Sequence, residues 1–251
     1  MNLLEPGQSV IIVTGGSRGI GADIVTTLHG QGHPILFTHS SPDSDGPALA
    51  DSLSTHGPAC VSLRIDVRQN DAPARIFDAA QSLGTVTGLV NNAGITGPLG
   101  VLRDLSDTDL QHILEINLQA PIRLCREAAR RWQGRSHRST IVNISSIAAR
   151  LGAPHEYVAY AASKGGLESF STGLAKELAT DNIHVNVVAP GTILTSIHAR
   201  AGEPGRPERV SARIPLQRPG QTQEVAQAVA WLLSEQASYV TGSVLTVSGG
   251  L

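Results

Sequence analysis

Short apolar runs alternate along this chain with longer stretches in which apolar residues recur every three or four positions. The apolar runs fall at 10–14 (VIIVT), 34–38, 59–64, 88–92, 140–145, 184–189 and 243–248. Most are continuously apolar rather than alternating, the pattern of strands buried on both faces. The helical periodicity falls between them, at 19–31, 47–56, 72–83, 108–132, 157–180 and 222–234. This βαβ alternation predicts an α/β fold: a doubly wound, parallel, seven-stranded sheet with helices on both faces. No linker or internal repeat divides it, so 1–251 is expected to form one domain. The long irregular stretch, 191–220, is rich in proline, glycine and arginine and predicts a substrate lid.

Composition narrows the classes of function. With Lys+Arg 19 against Asp+Glu 21 the formal net charge is −2, which offers no surface to nucleic acid. The two cysteines, Cys60 and Cys125, form no CxxC or Cys/His cluster, so no metal site is expected. With no disulfide framework and no secretory leader pattern, the chain reads as cytoplasmic. No apolar stretch reaches the ~18 residues that a membrane span requires.

The first apolar run leads into TGGSRGIG, residues 14–21, and then into a helical pattern. Gly15, Gly19 and Gly21 allow a tight turn, so that the backbone of this loop, with Ser17, Arg18 and Ile20, can approach a pyrophosphate at a helix N-terminus. That makes a Rossmann-type dinucleotide site the preferred reading over an ordinary glycine-rich turn. The second run ends in Thr38, His39, Ser40 and Ser41, without the carboxylate that an NAD site uses for the ribose hydroxyls. Hydroxyls together with the Arg18 guanidinium suit a 2′-phosphate, which favours NADP(H). Asp43 and Asp45 keep NAD(H) open.

Further along stand NNAG (91–94), EINL with Asn117, NISS (143–146) and YAASK (160–164). Tyr160 and Lys164 are four apart and share a helix face. A cation beside a phenol favours the phenolate, so the Tyr160 pKa is expected to fall from its usual ~10. Taken alone, this pair reads more readily as a surface lysine over a half-buried aromatic. In this order and spacing, however, the motifs resemble the short-chain dehydrogenase/reductases, in the single-domain branch of 3-oxoacyl-carrier-protein reductases and glucose-1-dehydrogenase-like enzymes. The resemblance runs from Val10 to Gly250.

It implies an NAD(P)-dependent oxidoreductase that moves a hydride between nicotinamide and a carbonyl or secondary alcohol. Tyr160 would be the general acid or base, Lys164 would lower its pKa and hold the nicotinamide ribose, and Ser146 would bind the substrate oxygen. Asn117 would help hold a proton-relaying water. Asp66 and Val67 would lie near the adenine, Asn91, Ala93 and Gly94 along the ribose and phosphates, and Pro190, Gly191, Ile193 and Thr195 at the nicotinamide. Ser146 stands fourteen residues ahead of Tyr160, where the family most often has thirteen. An insertion after Gly152 accounts for the shift and favours Ser146 over Ser145.

The resemblance also implies a homotetramer. The substrate, a small carbonyl compound or alcohol, stays open between a 3-oxoacyl chain, a sugar and a simple ketone. Arg200, Arg206, Arg209, Arg213 and Arg218 in the lid suggest an anion, or only a solvated loop. A non-catalytic redox sensor is the distant alternative.

Overall fold

The structure is a computed structural model and describes residues 9–251, apart from the side chains of His198 and Arg200. The first eight residues of the expected domain, and the Arg200 side chain of the expected basic lid, lie outside the described residues. Seven parallel strands form one sheet in the order β3-β2-β1-β4-β5-β6-β7. They are β1 (Ser9–Val13), β2 (Ile35–His39), β3 (Cys60–Arg64), β4 (Thr85–Asn91), β5 (Ser139–Ile144), β6 (Ile183–Pro190) and β7 (Val244–Val247). The chain winds outward from β1 through β2 to β3, then crosses back to place β4 on the other side of β1. The carboxyl ends of β1 and β4 therefore open a crevice at the point where the winding reverses, the place where such sheets bind ligands.

Alternate residues of each strand feed two cores. Val10, Ile12 and Leu36 point to one face, where Phe77, Leu124, Trp132 and Leu178 meet them. Ile11, Val13, Ile35 and Phe37 point to the other, against Ile24, Leu28, Val225 and Val229. The first face carries α3 (Ala72–Gln81), α5 (Ala120–Trp132) and α7 (Val158–Leu178); the second carries α1 (Gly19–Gly30), α2 (Gly46–Ser54) and α10 (Thr222–Leu233). This two-sided burial is why the strands read as continuous apolar runs. No described helix is long and apolar enough to cross a membrane.

Two predicted elements differ. The helix expected over 108–132 is split into α4 (Asp107–Leu114) and α5 by a π turn at Glu115–Gln119. Pro121 explains the break. It has no N–H for the carbonyl of Asn117, four residues earlier, and its ring would clash there. The lid stretch is not wholly irregular: it holds two short helices, α8 (Ile197–Arg200) and α9 (Arg206–Ser211). Its two ends are clasped, Leu194 N–H donating to Gly220 O and Gly220 N–H to Thr192 O, both at 2.9 Å. The remaining short helix, α6 (Ala148–Leu151), follows β5 at the crevice.

Candidate active site

Residues 14–18 turn the chain from β1 into α1. Gly15 (φ 65°) and Gly19 (φ 53°) sit in the left-handed region that favours glycine. A Cβ on Gly21 would strike the Gly15 carbonyl oxygen and the Asn92 amide. The turn is stapled to β4. Asn92 Nδ2 donates to Thr14 O and Gly15 O, both at 2.9 Å, while Thr14 Oγ1 accepts from Asn92 N (3.0 Å) and Ala93 N (3.1 Å). Among the described residues no side chain caps α1, so its first N–H groups remain available to an anion.

From this turn a cleft of about 490 Å³ runs across the carboxyl ends of the strands. Gly15, Ser17, Arg18, Gly19, Ile20 and Gly21 line its middle. His39, Ser40, Ser41, Asp66 and Val67 line one end. The far end holds Ser146, Tyr160 and Lys164, with Pro190, Gly191, Ile193 and Thr195 along one wall and Ala93 and Gly94 along another. An uncapped helix N-terminus, a glycine turn that admits close approach and a cleft of this length fit a dinucleotide.

At the first end, His39 is buried and its Nδ1 lies 3.0 Å from Ser41 O. Asp66 is occupied locally: it accepts from Arg68 N (3.0 Å) and pairs with the Arg68 guanidinium at 2.6 Å, which holds its carboxyl below the usual range. Arg18 is exposed and makes no ion pair among the described residues.

At the other end, Lys164 is 4% exposed. Its Nζ donates to Ile144 O at 2.8 Å and lies 5.8 Å from the centre of the Tyr160 ring. Burial pushes its pKa down to about 8. The Tyr160 phenol is shifted upward, contrary to the fall expected from the lysine. Burial raises it, and the hydrogen bond with Ser146 and the charge of Arg206 offset this only in part. The Lys164 ammonium is given to a main-chain carbonyl rather than to the phenol oxygen.

The two candidate serines point differently. Ser145 Oγ donates to Glu168 Oε1 (2.8 Å), whereas Ser146 stands beside the Tyr160 phenol and its Oγ accepts from Ala148 N at 3.1 Å. The longer segment before Tyr160 is absorbed in a turn where Gly152 (φ 74°), Ala153 (φ 44°) and His155 (φ 63°) are all left-handed. The two non-glycine residues there cost on the order of 1–3 kcal/mol each.

Two expected residues do not line the cleft. Asn91 is buried beneath the sheet, its Nδ2 bonded to Asn143 Oδ1 (2.8 Å) and Cys125 Sγ (3.3 Å); the cleft-facing residue is its neighbour Asn92. Asn117 is fully buried, and its amide grips Ile95, accepting from N (2.9 Å) and donating to O (2.8 Å), with a further bond to Ser163 Oγ at 3.1 Å. Its side chain therefore ties the loop at Ile95 to α7, using both amide donors and one of the two lone pairs of its oxygen; its main-chain carbonyl lost its helical partner to Pro121. Thr14 and Asn92 were not anticipated, and the doubled asparagine of NNAG was their one signal.

The lid arginines are mostly neutralised. Arg206 pairs with Glu156 (2.6 Å), Arg209 with both Glu156 (2.8 Å) and Glu203, and Arg218 with Glu224 (2.7 Å). Among the described lid arginines only Arg213, exposed at the mouth of the cleft, forms no ion pair.

Comparison with known proteins agrees with this geometry. Residues 15–251 match the family described as enoyl-(acyl carrier protein) reductase. The uncharacterized oxidoreductase YgfF of Escherichia coli K12 is 40% identical over 246 residues, covering 97% of this chain and 100% of that protein. The 3-oxoacyl-[acyl-carrier-protein] reductase FabG of Escherichia coli K12 is 37% identical over 246 residues, covering 96% of each. The chain belongs to the short-chain dehydrogenase/reductase family. Among solved structures the chain is similar to a blue fluorescent protein from a metagenomic library in complex with NADPH (TM-score 0.88, 34% identity, 98% of this chain and 99% of that one). A short-chain dehydrogenase/reductase mutant from Serratia marcescens matches with a TM-score of 0.88 at 32% identity, over 98% of this chain and 99% of that one. As a member of this family, the protein is an NAD(P)-dependent oxidoreductase.

Proposed function

We propose that this short-chain dehydrogenase/reductase is an NADP(H)-dependent carbonyl reductase with Tyr160 as its proton donor. The observation that carries the reading is that Ser146 and Tyr160 stand together at the far end of the cleft, beside buried Lys164. A bound nicotinamide would supply the hydride. Ser146 and Tyr160 can then both donate to one carbonyl oxygen, so that charge developing there meets two fixed dipoles. A phenol whose pKa is held up stays protonated at neutral pH, which suits a general acid and the direction of reduction. Lys164, Ser17 and the α1 N–H groups would hold the dinucleotide.

Support for NADP(H) comes from the adenosine end. His39, Ser40 and Ser41 present no carboxylate, and Arg18 has a guanidinium to give. A guanidinium–phosphate contact is worth about 1.5–3 kcal/mol. Arg18→Ala is therefore expected to lower the ratio of kcat/KM for NADPH to that for NADH by roughly 10–100-fold. Paired titrations read this directly, and equal losses with both nucleotides would remove Arg18 from the 2′-phosphate site.

Ser146→Ala is expected to reduce kcat about 10²–10³-fold through the lost donor. Ser145→Ala should instead cost about 1 kcal/mol of stability, through its bond to Glu168, and leave kcat within tenfold. The reverse ranking in steady-state assays would transfer the role to Ser145. A homotetramer is the assembly we infer, supported by the half-exposed edge strand β7 and by Tyr239 and Trp231 exposed at the surface near it.

A further inference from the structure

The substrate wall beside Tyr160 contains a charge pair with donors to spare. Arg206 and Glu156 have side-chain exposures of only 17% and 22%, and both line the cleft. Arg206 gives Nε (3.2 Å) and Nη2 (2.6 Å) to Glu156 Oε2. Its Nη1 makes no hydrogen bond among the described residues, yet it is not sealed from solvent. The guanidinium also stacks on Tyr157, 5.5 Å from the ring centre, and that ring meets Tyr160 edge to face at 6.4 Å. Tyr157 is 6% exposed, and its buried hydroxyl has no partner among the described residues. Around them the wall is apolar, from Leu151, Ala153, Pro154 and Val210.

We propose that Arg206, fixed by Glu156 and Tyr157, is a specificity-determining residue that donates to a second, uncharged oxygen of the substrate. The enzyme then prefers dicarbonyls to simple ketones and discriminates against keto-acid anions. This rests on the carbonyl reductase reading above.

A guanidinium has five N–H donors, and two nitrogens are spent on Glu156. The two N–H groups of Nη1 can reach an acceptor in a low-dielectric wall, where a hydrogen bond gains most. Glu156 decides the charge of what is accepted. With the arginine already neutralised, an incoming carboxylate would be stripped of water and set beside a second carboxylate, and nothing would offset that cost. A neutral carbonyl loses far less on entering the wall.

The test uses three four-carbon probes, butane-2,3-dione, butanone and 2-oxobutanoate, with NADPH consumption as the signal. Arg206→Gln should lower the dione-to-butanone ratio of kcat/KM at least tenfold relative to the parent. Glu156→Gln should raise the 2-oxobutanoate-to-dione ratio at least tenfold, since it uncovers the arginine charge. If Arg206→Gln does not fold, Arg206→Lys must lower the first ratio at least threefold, because an ammonium cannot match the planar fork. A ratio within threefold of the parent's in a folded Gln variant overturns the assignment. A parent enzyme that reduces none of the three with NADPH or NADH overturns the carbonyl reductase reading itself.

Discussion

Tyr160→Phe should bind NADPH with an affinity close to the parent's and reduce carbonyls at least ~10³-fold more slowly. The substitution deletes one oxygen and keeps the ring, so the edge-to-face contact with Tyr157 and the position over Lys164 survive. What disappears is the proton donor. General acid catalysis contributes about 10²–10⁴-fold, and loss of a fixed dipole at the developing oxyanion adds to it. Ser146 remains and can still polarise a carbonyl, which sets the residual rate. The parent's kcat/KM for reduction should fall at high pH as the phenol ionises, and the upward shift from burial places that limb above the usual tyrosine range. The Phe variant should lack the limb altogether. Steady-state NADPH oxidation across pH, with nucleotide binding followed by fluorescence, checks both halves. Activity within tenfold of the parent would show that another group delivers the proton.

How far this site was legible in the sequence depended on whether a residue's neighbours were local. Strands 10–14 and 34–38 were found within one residue of β1 and β2, because burial on both faces leaves an unbroken apolar run. The glycine turn was legible because its geometry needs glycine at fixed positions, two of which have positive φ. The π turn was missed although its cause, Pro121, was in plain view; the apolar periodicity continues through it and masks the break. Asn91 and Asn92 could not be told apart, since the pleat decides which faces the cleft and which faces Asn143. The arginine-rich lid looked basic for a related reason. Arg206 finds Glu156 fifty residues away, a pairing that only the fold creates. The shift of Tyr160 is hidden likewise: spacing shows that Lys164 shares its helix face, whereas the direction of the shift is decided by burial, which only the fold creates.

Lys164→Met should abolish turnover and at the same time stabilise the protein at neutral pH in the absence of nucleotide. The ammonium is buried, has one hydrogen bond, to Ile144 O, and pairs with no carboxylate among the described residues. Its folded pKa, about 8, lies below the 10.5 of an unperturbed lysine. As pH falls from 10.5 the unfolded chain takes up this proton before the folded one, so stability declines down to about pH 8 and stays reduced below it. A displacement of this size corresponds to about 3 kcal/mol. Methionine fills a similar volume without charge, and the lost bond to Ile144 returns about 1 kcal/mol of cost. The net gain of about 2 kcal/mol should raise Tm by roughly 4–8 °C for a chain of this length. The rise in parent stability between pH 8 and 10.5 should flatten in the variant. The same substitution takes away a cation from the wall of the nucleotide cleft, so kcat/KM should drop by ~10³-fold or more, through proton transfer and nucleotide binding together. Thermal melts without nucleotide at pH 7 and pH 10 decide the point. A lower Tm in the methionine variant at pH 7 would mean that the ammonium is a net structural asset, and that its position beside Tyr160 needs no catalytic explanation.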